Sequence, residues 1–315
     1  MKPTQGIRIG TRKSKLALWQ AELVADMLNK NGMPSELVTM ETRGDKILDV
    51  SISAIGSKGV FTEELEARLA SGDIDIAVHS AKDMQSTLPD GFEIIAFTRR
   101  EHVNDVVISR NPSFTLAFAD QNPNCPIGTS SVRRTALLKY HYPHARTVDM
   151  RGNLQTRIAK MDAGDCDALI LAYAGVHRMG YDDLITEVIP EQLFCPAIGQ
   201  GSIAVEASVG LDPAKRDAIR QVLNDSDAER GVIAERSFLN VLEGGCSVPA
   251  FALARLEDNS QLRLTAGIVA PDGSRRIEKT VTGDSSSAHQ LGTELARTIL
   301  DMGGKDILSA MGCGS

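Results

Sequence analysis

Over the first two thirds of the chain, short β-type runs alternate with helical patterns, and this alternation argues for an α/β sheet architecture. Ile7–Gly10 reads as a strand, and Ser14–Lys30 as a helix with Leu16, Trp19, Leu23 and Met27 on one face and Gly32 as a stop signal. Leu37–Glu41 reads as a strand, Phe61–Leu69 as a helix with Leu65 on its apolar side, and Ile74–Val78 as a buried strand. A second unit begins near Asp105 with the strand Asp105–Ser109 and a Pro/Asn-rich loop, Asn111–Pro126. It continues through a helix (Ser131–Tyr140), a strand (Thr147–Met150), a helix (Leu154–Met161) and a strand (Ala168–Ala172). Pro196–Glu206 is expected to return the chain to the first unit. From Asp225 the pattern changes: a long helix runs to about Leu242, followed by a meander (Phe251–Arg255, Leu262–Val269, Arg276–Val281) with a turn at Asp272–Gly273 and a helix over Ala288–Met302. The expected division is residues 1–103 with 201–220 as one α/β domain, 104–200 as a second, and 221–315 as a small α+β domain. Neither internal repeats nor low-complexity tracts stand out.

The 315 residues are 42% hydrophobic and 24% charged, the balance of a globular chain able to bury sizeable cores. A formal charge of −7 and an aromatic content of 4% argue against nucleic acid and anionic membrane as partners. The N-terminal MKPTQGIRIG has no apolar core of a signal peptide and no stretch approaches the length of a membrane span, so a cytoplasmic protein is expected. Five cysteines (Cys125, Cys166, Cys195, Cys246, Cys313) without CxxC spacing suggest reduced thiols, with neither a disulfide framework nor a metal site. No long exposed apolar stripe calls for obligate assembly, and a monomer is expected.

Cations stand at the wrong ends of several helices. The helix dipole favours anions at N-termini, by up to about 1 kcal/mol per surface charge, yet Arg12, Lys13 and Lys15 crowd the first helix start. Lys58 precedes the next helix, Arg133 and Arg134 fill the first turn after GTSS, and Arg151 and Arg157 flank the start of RGNLQTRIAK. One such site is most simply a solvated side chain. Four in an acidic protein, each with Gly, Ser or Thr that leaves backbone N–H groups free, point to a polyanionic ligand. Because strands precede most of these turns, the sites should gather at C-terminal sheet edges, in a cleft between two α/β units. Neither GxxxxGK[ST] nor GxGxxG is present, so carboxylates fit better than a nucleotide phosphate.

Two positions carry reaction chemistry. Lys82 and Asp83 follow directly on the strand Ile74–Val78 in HSAKDM. Asp83 is either a cap of the next turn or an ionised carboxylate among arginines, able to stabilise a developing cation or relay a proton. Cys246 sits in LEGGCSVP, where two glycines and a proline suggest a tight, exposed turn rather than the commoner buried thiol. His79 reads as structural, and Ser80 at the same strand end as a hydrogen-bonding neighbour.

Together these residues resemble one family, porphobilinogen deaminase (hydroxymethylbilane synthase), over nearly the whole chain. The resemblance is carried by GTRKSKLALWQ (10–20), TRGD (42–45), GSKGVFTEELE (56–66), DIAVHSAKD (75–83), GTSSVRR (128–134), MRGNLQTRIAKMDAGDCDALILAYAGVHRMG (150–180), PAIGQG (196–201) and LEGGCSVP (242–249). It implies two α/β domains like type II periplasmic binding proteins plus the small third domain. It also implies a dipyrromethane cofactor joined by thioether to Cys246. On that primer the enzyme, a transferase of tetrapyrrole (haem) biosynthesis, would condense four porphobilinogens head to tail with loss of ammonia, then release hydroxymethylbilane by hydrolysis. Asp83 matches the family's proton-steering aspartate, which also stabilises the cationic azafulvene left when ammonia departs. Arg12, Ser14, Lys58, Lys82, Thr129, Ser130, Ser131, Arg133, Arg134, Arg151, Asn153, Arg157, Arg178 and Gln200 match its cofactor and substrate contacts, and Ser80 is counted with them. Asp45 and the stretch to Gly59 match a mobile loop.

The chain departs from the family pattern at Ala81 (commonly Met), Met84–Gln85 (commonly Val-Pro), Ser247 (commonly Gln) and Ala250–Phe251. Two other classes compete with the enzyme reading. A polycarboxylate-binding protein would need neither Cys246 nor Asp83, and a cysteine-dependent acyltransferase lacks a recognisable His base beside a cysteine.

Overall fold

The computed structural model describes residues 6–41, 62–242, 248–257 and 260–311; the expectations for Asp45, Lys58, Cys246 and Ser247 lie outside the described residues. The chain forms two compact units, one running to Arg100 and including Ser202–Glu229, the other comprising Glu101–Gly201 and the chain from Arg230 onward.

In the first unit, β1 (Ile7–Arg12), β2 (Ser35–Met40), β3 (Ile76–Ser80), β4 (Phe92–Phe97) and the late strand β10 (Ile203–Ser208) form a sheet in the order β2-β1-β3-β10-β4. All run parallel except β10, which is antiparallel to both neighbours. Period-2 alternation sends Ile76 and Val78 to one face, where they meet Val24 and Leu28 of the helix Lys15–Lys30. Ala77 points to the other face, against Leu65 and Leu69 of the helix Glu63–Ser71. With both faces covered, the strands read as continuous apolar runs. The first helix is turned relative to the expected face. Ala17, Ala21, Val24 and Leu28 are its buried positions, while Trp19, Leu23 and Met27 pack at the edge, because small alanines let the backbone approach the sheet.

In the second unit, β5 (Asp105–Ser109), β6 (Ile127–Gly128), β7 (Thr147–Val148), β8 (Ala168–Ala172) and β9 (Ile185–Val188) form the order β7-β6-β8-β5-β9, with β5 the antiparallel strand. The layout repeats that of the first sheet. The odd strand is β5, which enters this unit, in one sheet and β10, which follows the return from it, in the other. The two Gly-Thr pairs, Gly10–Thr11 near the end of β1 and Gly128–Thr129 at the end of β6, therefore occupy corresponding places on the second strand of each sheet. Both glycines sit in close packing: a Cβ at Gly10 would press on the side-chain ends of Ile74 and Leu65, and one at Gly128 on Leu169 and Cys166.

The chain after Arg230 completes the helix Ser226–Val241 and builds the meander β11 (Ala250–Leu256), β12 (Gln261–Val269) and β13 (Arg276–Asp284), packed on that helix and on Ala288–Ile299. Asp272–Gly273 forms the expected turn, with Gly273 at φ 77°. The last expected helix, Ala288–Met302, forms, and beyond it the chain breaks at Gly303 (φ 109°) before a further helix over Lys305–Ala310. Phe251 and Val269 share a core with Leu137 and Phe194, joining the meander to the second sheet's helices.

Arg276 stacks 5.0 Å over Phe251 and donates to His141 Nε2 at 2.8 Å. Burial, and then Arg276, pull the His141 pKa below its ordinary value. A lowered folded pKa means the unfolded chain binds more protons, so this contribution is full above about pH 6.5 and is lost as pH falls toward the folded value. Urea denaturation at pH 8 and pH 5.5 should show a larger loss of stability in the wild type than in His141→Gln; equal losses would contradict the assignment.

Candidate active site

Residues of the first unit converge beyond the C-terminal ends of β1 and β3. Ser14 caps the helix Lys15–Lys30, its Oγ accepting from Ala17 N at 3.3 Å, which leaves Arg12 at the mouth of the helix start. Strand β3 ends at Ser80 and passes into a tight turn, Ala81–Asp83. These segments line a pocket of about 430 Å³, counted to its open mouth, whose walls include Arg12, Ser14, Gln20, Thr62, His79, Ser80 and Asp83. The enclosed part of it is only about 60 Å³, so it is a small recess open to solvent. Asp83 is exposed in it, and its carboxylate makes no hydrogen bond to the described residues.

The turn carrying Asp83 is held at both ends. Ala81 N donates to Ser202 O at 3.0 Å, and Met84 is buried behind it. Gln85 Nε2 donates to Thr62 Oγ1 at 3.0 Å and to Glu66 Oε1 at 3.2 Å. The departure at Met84–Gln85 therefore replaces a rigid proline by a side chain that ties the turn to the start of the helix Glu63–Ser71. Lys82 is half-buried beside Asp83.

Sequence reading missed Gln20. Gln20 Nε2 donates to Ser80 Oγ at 2.9 Å, from a helix position that is only 3% exposed. An amide on the buried stripe with Ala17, Ala21 and Val24 was the available signal. His79, taken as structural, lines the pocket as well as pairing with Glu206.

In the second unit the turns after the adjacent strands β6 and β7 are tied together. Ser130 Oγ donates to Met150 O at 2.6 Å, and Met150 N donates back to it at 3.1 Å. Ser131 caps the helix Val132–His141, Thr129 Oγ1 accepts from Ser131 N, and Asn153 caps Leu154–Asp162 by accepting from Thr156 N at 2.9 Å. Two helix N-termini thus stand side by side, an arrangement that attracts anions. Arg151 lies between them, 3.6 Å from the exposed Asp149, and Arg157 Nε donates to Gly152 O at 2.8 Å. Arg178, whose pKa burial lowers, donates to Gly201 O at 2.7 Å.

Arg133, Arg134 and Gln200 are turned inward, contrary to the picture of loose cations at a helix start. Arg133 Nη2 meets Asp105 Oδ2 at 2.7 Å and Arg134 Nη2 meets Oδ1 at 2.8 Å, while Gln200 Nε2 donates to Oδ1 at 3.0 Å. Their remaining Nη1 groups donate to Cys195 O and Ile170 O. Burial alone would push the Asp105 carboxyl up, but the two guanidiniums outweigh it and hold it well below the usual carboxylate range. One carboxylate against two guanidiniums leaves a buried excess of positive charge, and the Nε of each arginine is buried without a partner.

Burial pushes the Cys166 thiol up to about 11, and Cys195 is raised further, so neither supplies a thiolate near neutral pH. Among the described residues no group of His, Cys, Asp and Glu is arranged to hold a metal ion, and no helix is long and apolar enough to cross a membrane.

Residues 7–215 match the family model described as "Porphobilinogen deaminase, dipyromethane cofactor binding domain", and residues 230–301 match "Porphobilinogen deaminase, C-terminal domain". The chain belongs to the porphobilinogen deaminase family. A porphobilinogen deaminase of Desulfosudis oleivorans is 54% identical over 96% of this chain and 97% of its own length. Another, of Cytophaga hutchinsonii, is 56% identical over 96% of each. Among solved structures, the periplasmic VFT2 domain of Bordetella pertussis BvgS overlaps 68% of this chain and 84% of its own at a TM-score of 0.41 and 15% identity. The porphobilinogen deaminase model that matches 7–215 is named for a dipyrromethane cofactor. The donor set suits that group: orphaned Nε atoms on Arg133 and Arg134, paired helix N-termini and Arg151 all favour carboxylate side chains.

Proposed function

We propose that the protein is a hydroxymethylbilane synthase, a transferase that condenses four porphobilinogens on a dipyrromethane primer held through a thioether to Cys246 and releases hydroxymethylbilane by hydrolysis. The observation that carries this reading is Asp83, a carboxylate exposed in a pocket among Arg12, Ser14 and Ser80 with no hydrogen bond to the described residues. When bound, the primer supplies the nucleophilic ring carbon and remains attached between rounds. The protein's residues do the rest. Arg12, Ser14, Lys58, Ser80 and Lys82, with Thr129–Ser131, Arg151, Asn153, Arg157 and Arg178, pair with the acetate and propionate groups. Arg133 and Arg134 contribute the positive charge of their buried guanidiniums, and Gln200 holds Asp105 in place between them. Asp83 opposes the positive charge left when ammonia departs and takes up the proton released on condensation.

The same reading divides the chain into residues 1–103 with 201–220, 104–200 and 221–315, the last carrying Cys246. It describes a cytoplasmic monomer whose partner is a small molecule, with no nucleic acid or membrane involved. Intact-mass measurement after reconstitution with porphobilinogen tests it. The wild type should be heavier than its sequence by two pyrrole units, and Cys246→Ala should have the bare mass and lose turnover. A bare wild-type mass, or full turnover by Cys246→Ala, would count against the reading.

A further inference from the structure

Beneath the Asp83 pocket lies a group of buried titratable side chains to which the proposed reaction gives no task. Antiparallel pairing sets His79 opposite Ala204 and Ala77 opposite Glu206, so all four side chains share the sheet face under the helix Glu63–Ser71. The alanines leave room for the longer side chains. His79 Nε2 lies 3.0 Å from Glu206 Oε2, and Glu206 is completely buried with its other oxygen, Oε1, unpartnered. Glu66 approaches from the helix; burial, and then the charge of Glu206, raise its pKa, against opposing effects of Thr62 and His79.

A polar pair kept only for packing is expected to have its buried atoms satisfied. This one does not. Its imidazole is anchored at Nε2, makes no hydrogen bond at Nδ1, and forms part of the pocket wall that also holds Asp83. An imidazole oriented by a carboxylate on one nitrogen and standing in the wall of a site is the arrangement of a proton-exchanging group.

We propose that His79, positioned by Glu206, is the proton-exchange partner of Asp83. The inference rests on the reaction proposed above. Porphobilinogen enters with its aminomethyl group protonated, the C–N bond breaks with its electron pair leaving on ammonia, and each condensation sets one proton free in the pocket. Asp83 takes that proton and must lose it before the next round. His79 Nδ1 accepts it and passes it to the ammonia freed earlier in the same round and still held in the pocket, which leaves as ammonium, so the ring returns to its starting form. The charged and titratable groups set around His79 are Glu206 from β10, Glu66 from the covering helix, and Arg12 and Asp83 from the pocket.

The test uses the purified full-length protein carrying its covalent group, verified by intact mass. His79→Gln should lower kcat about 10- to 100-fold with KM within twofold and should change the shape of the kcat–pH profile; Glu206→Gln should do the same more weakly. Proton NMR supplies a readout independent of turnover. A downfield Nε2–H resonance should be present in the wild type, absent in Glu206→Gln, and displaced by Asp83→Asn. An unchanged pH profile in a folded His79→Gln, or a resonance indifferent to Asp83→Asn, would overturn the proposal. If His79→Gln does not fold, the resonance in the wild type and in Asp83→Asn decides alone. A wild type without porphobilinogen turnover would instead refute the proposed reaction, while the resonance would still report whether His79 and Asp83 are coupled.

Discussion

Replacing Asp83 with Ala should lower porphobilinogen turnover by about 10²- to 10⁴-fold, the usual range for loss of a positioned proton-transfer group, and leave the covalent cofactor in place. The size of the effect follows from what else the pocket holds. Among its lining residues Asp83 is the one acidic side chain, the others being Arg12, Ser14, Gln20, Thr62, His79, Ser80 and apolar neighbours. Among the described residues no second carboxylate lines the pocket to stand against positive charge or take up the proton. Stability should be nearly untouched, within about 0.5 kcal/mol, as for an exposed side chain outside any network. Asp83 is exposed, and the turn beneath it is secured by Ala81, Met84 and Gln85 rather than by its carboxylate. Asp83→Asn keeps the shape and removes the charge, so a similar loss would assign the effect to charge and proton transfer. The deciding measurements are kcat and KM on protein whose intact mass confirms cofactor attachment. Near-normal turnover would sink the assignment.

What could be read from the sequence was local. Ser14, Ser131 and Asn153 each cap the helix that the spacing places after them, because capping needs only a side-chain oxygen and the next turn's N–H groups. The turn at Asp272–Gly273 is legible for the same reason. Pairing across the chain was not. Arg133 and Arg134 read as surplus cations because Asp105 lies 28 and 29 residues upstream of them, and Gln200, which completes the cluster, lies 95 residues from Asp105. His79 read as structural, which its burial and pairing agree with, but its partner Glu206, 127 residues away, cannot be named before the register of β3 and β10 is known. The shared strand order of the two sheets also left no mark in the sequence, since topology is set by which edges pair and not by residue identity. The face of the first helix was misjudged because pattern reading weights large side chains, whereas close packing on a sheet selects small ones.

The Asp105 cluster gives the largest expected effect on stability. Asp105→Ala should destabilise the protein by about 3–5 kcal/mol, since removing one partner of a buried ion pair leaves the other charge uncompensated. Here two guanidiniums are stranded, each no more than 6% exposed. Asp105→Asn retains hydrogen-bond acceptance and should fall between Ala and wild type. The pH behaviour discriminates further. Because the folded pKa is depressed, the carboxylate's contribution is complete above its unfolded value of about 3.9 and is lost only as pH falls through the folded one. The destabilisation of Asp105→Ala should therefore be the same at pH 8 and pH 5.5, unlike the His141 effect, which changes across that window. Urea denaturation of both variants at the two pH values separates them. A loss below about 1 kcal/mol would mean that the arginines find other acceptors and that Asp105 does not organise this site. A large loss that single Arg133→Met or Arg134→Met substitutions partly rescue would establish that the penalty is stranded charge, and that the positive excess offered to a polycarboxylate is held in place at a cost to the fold.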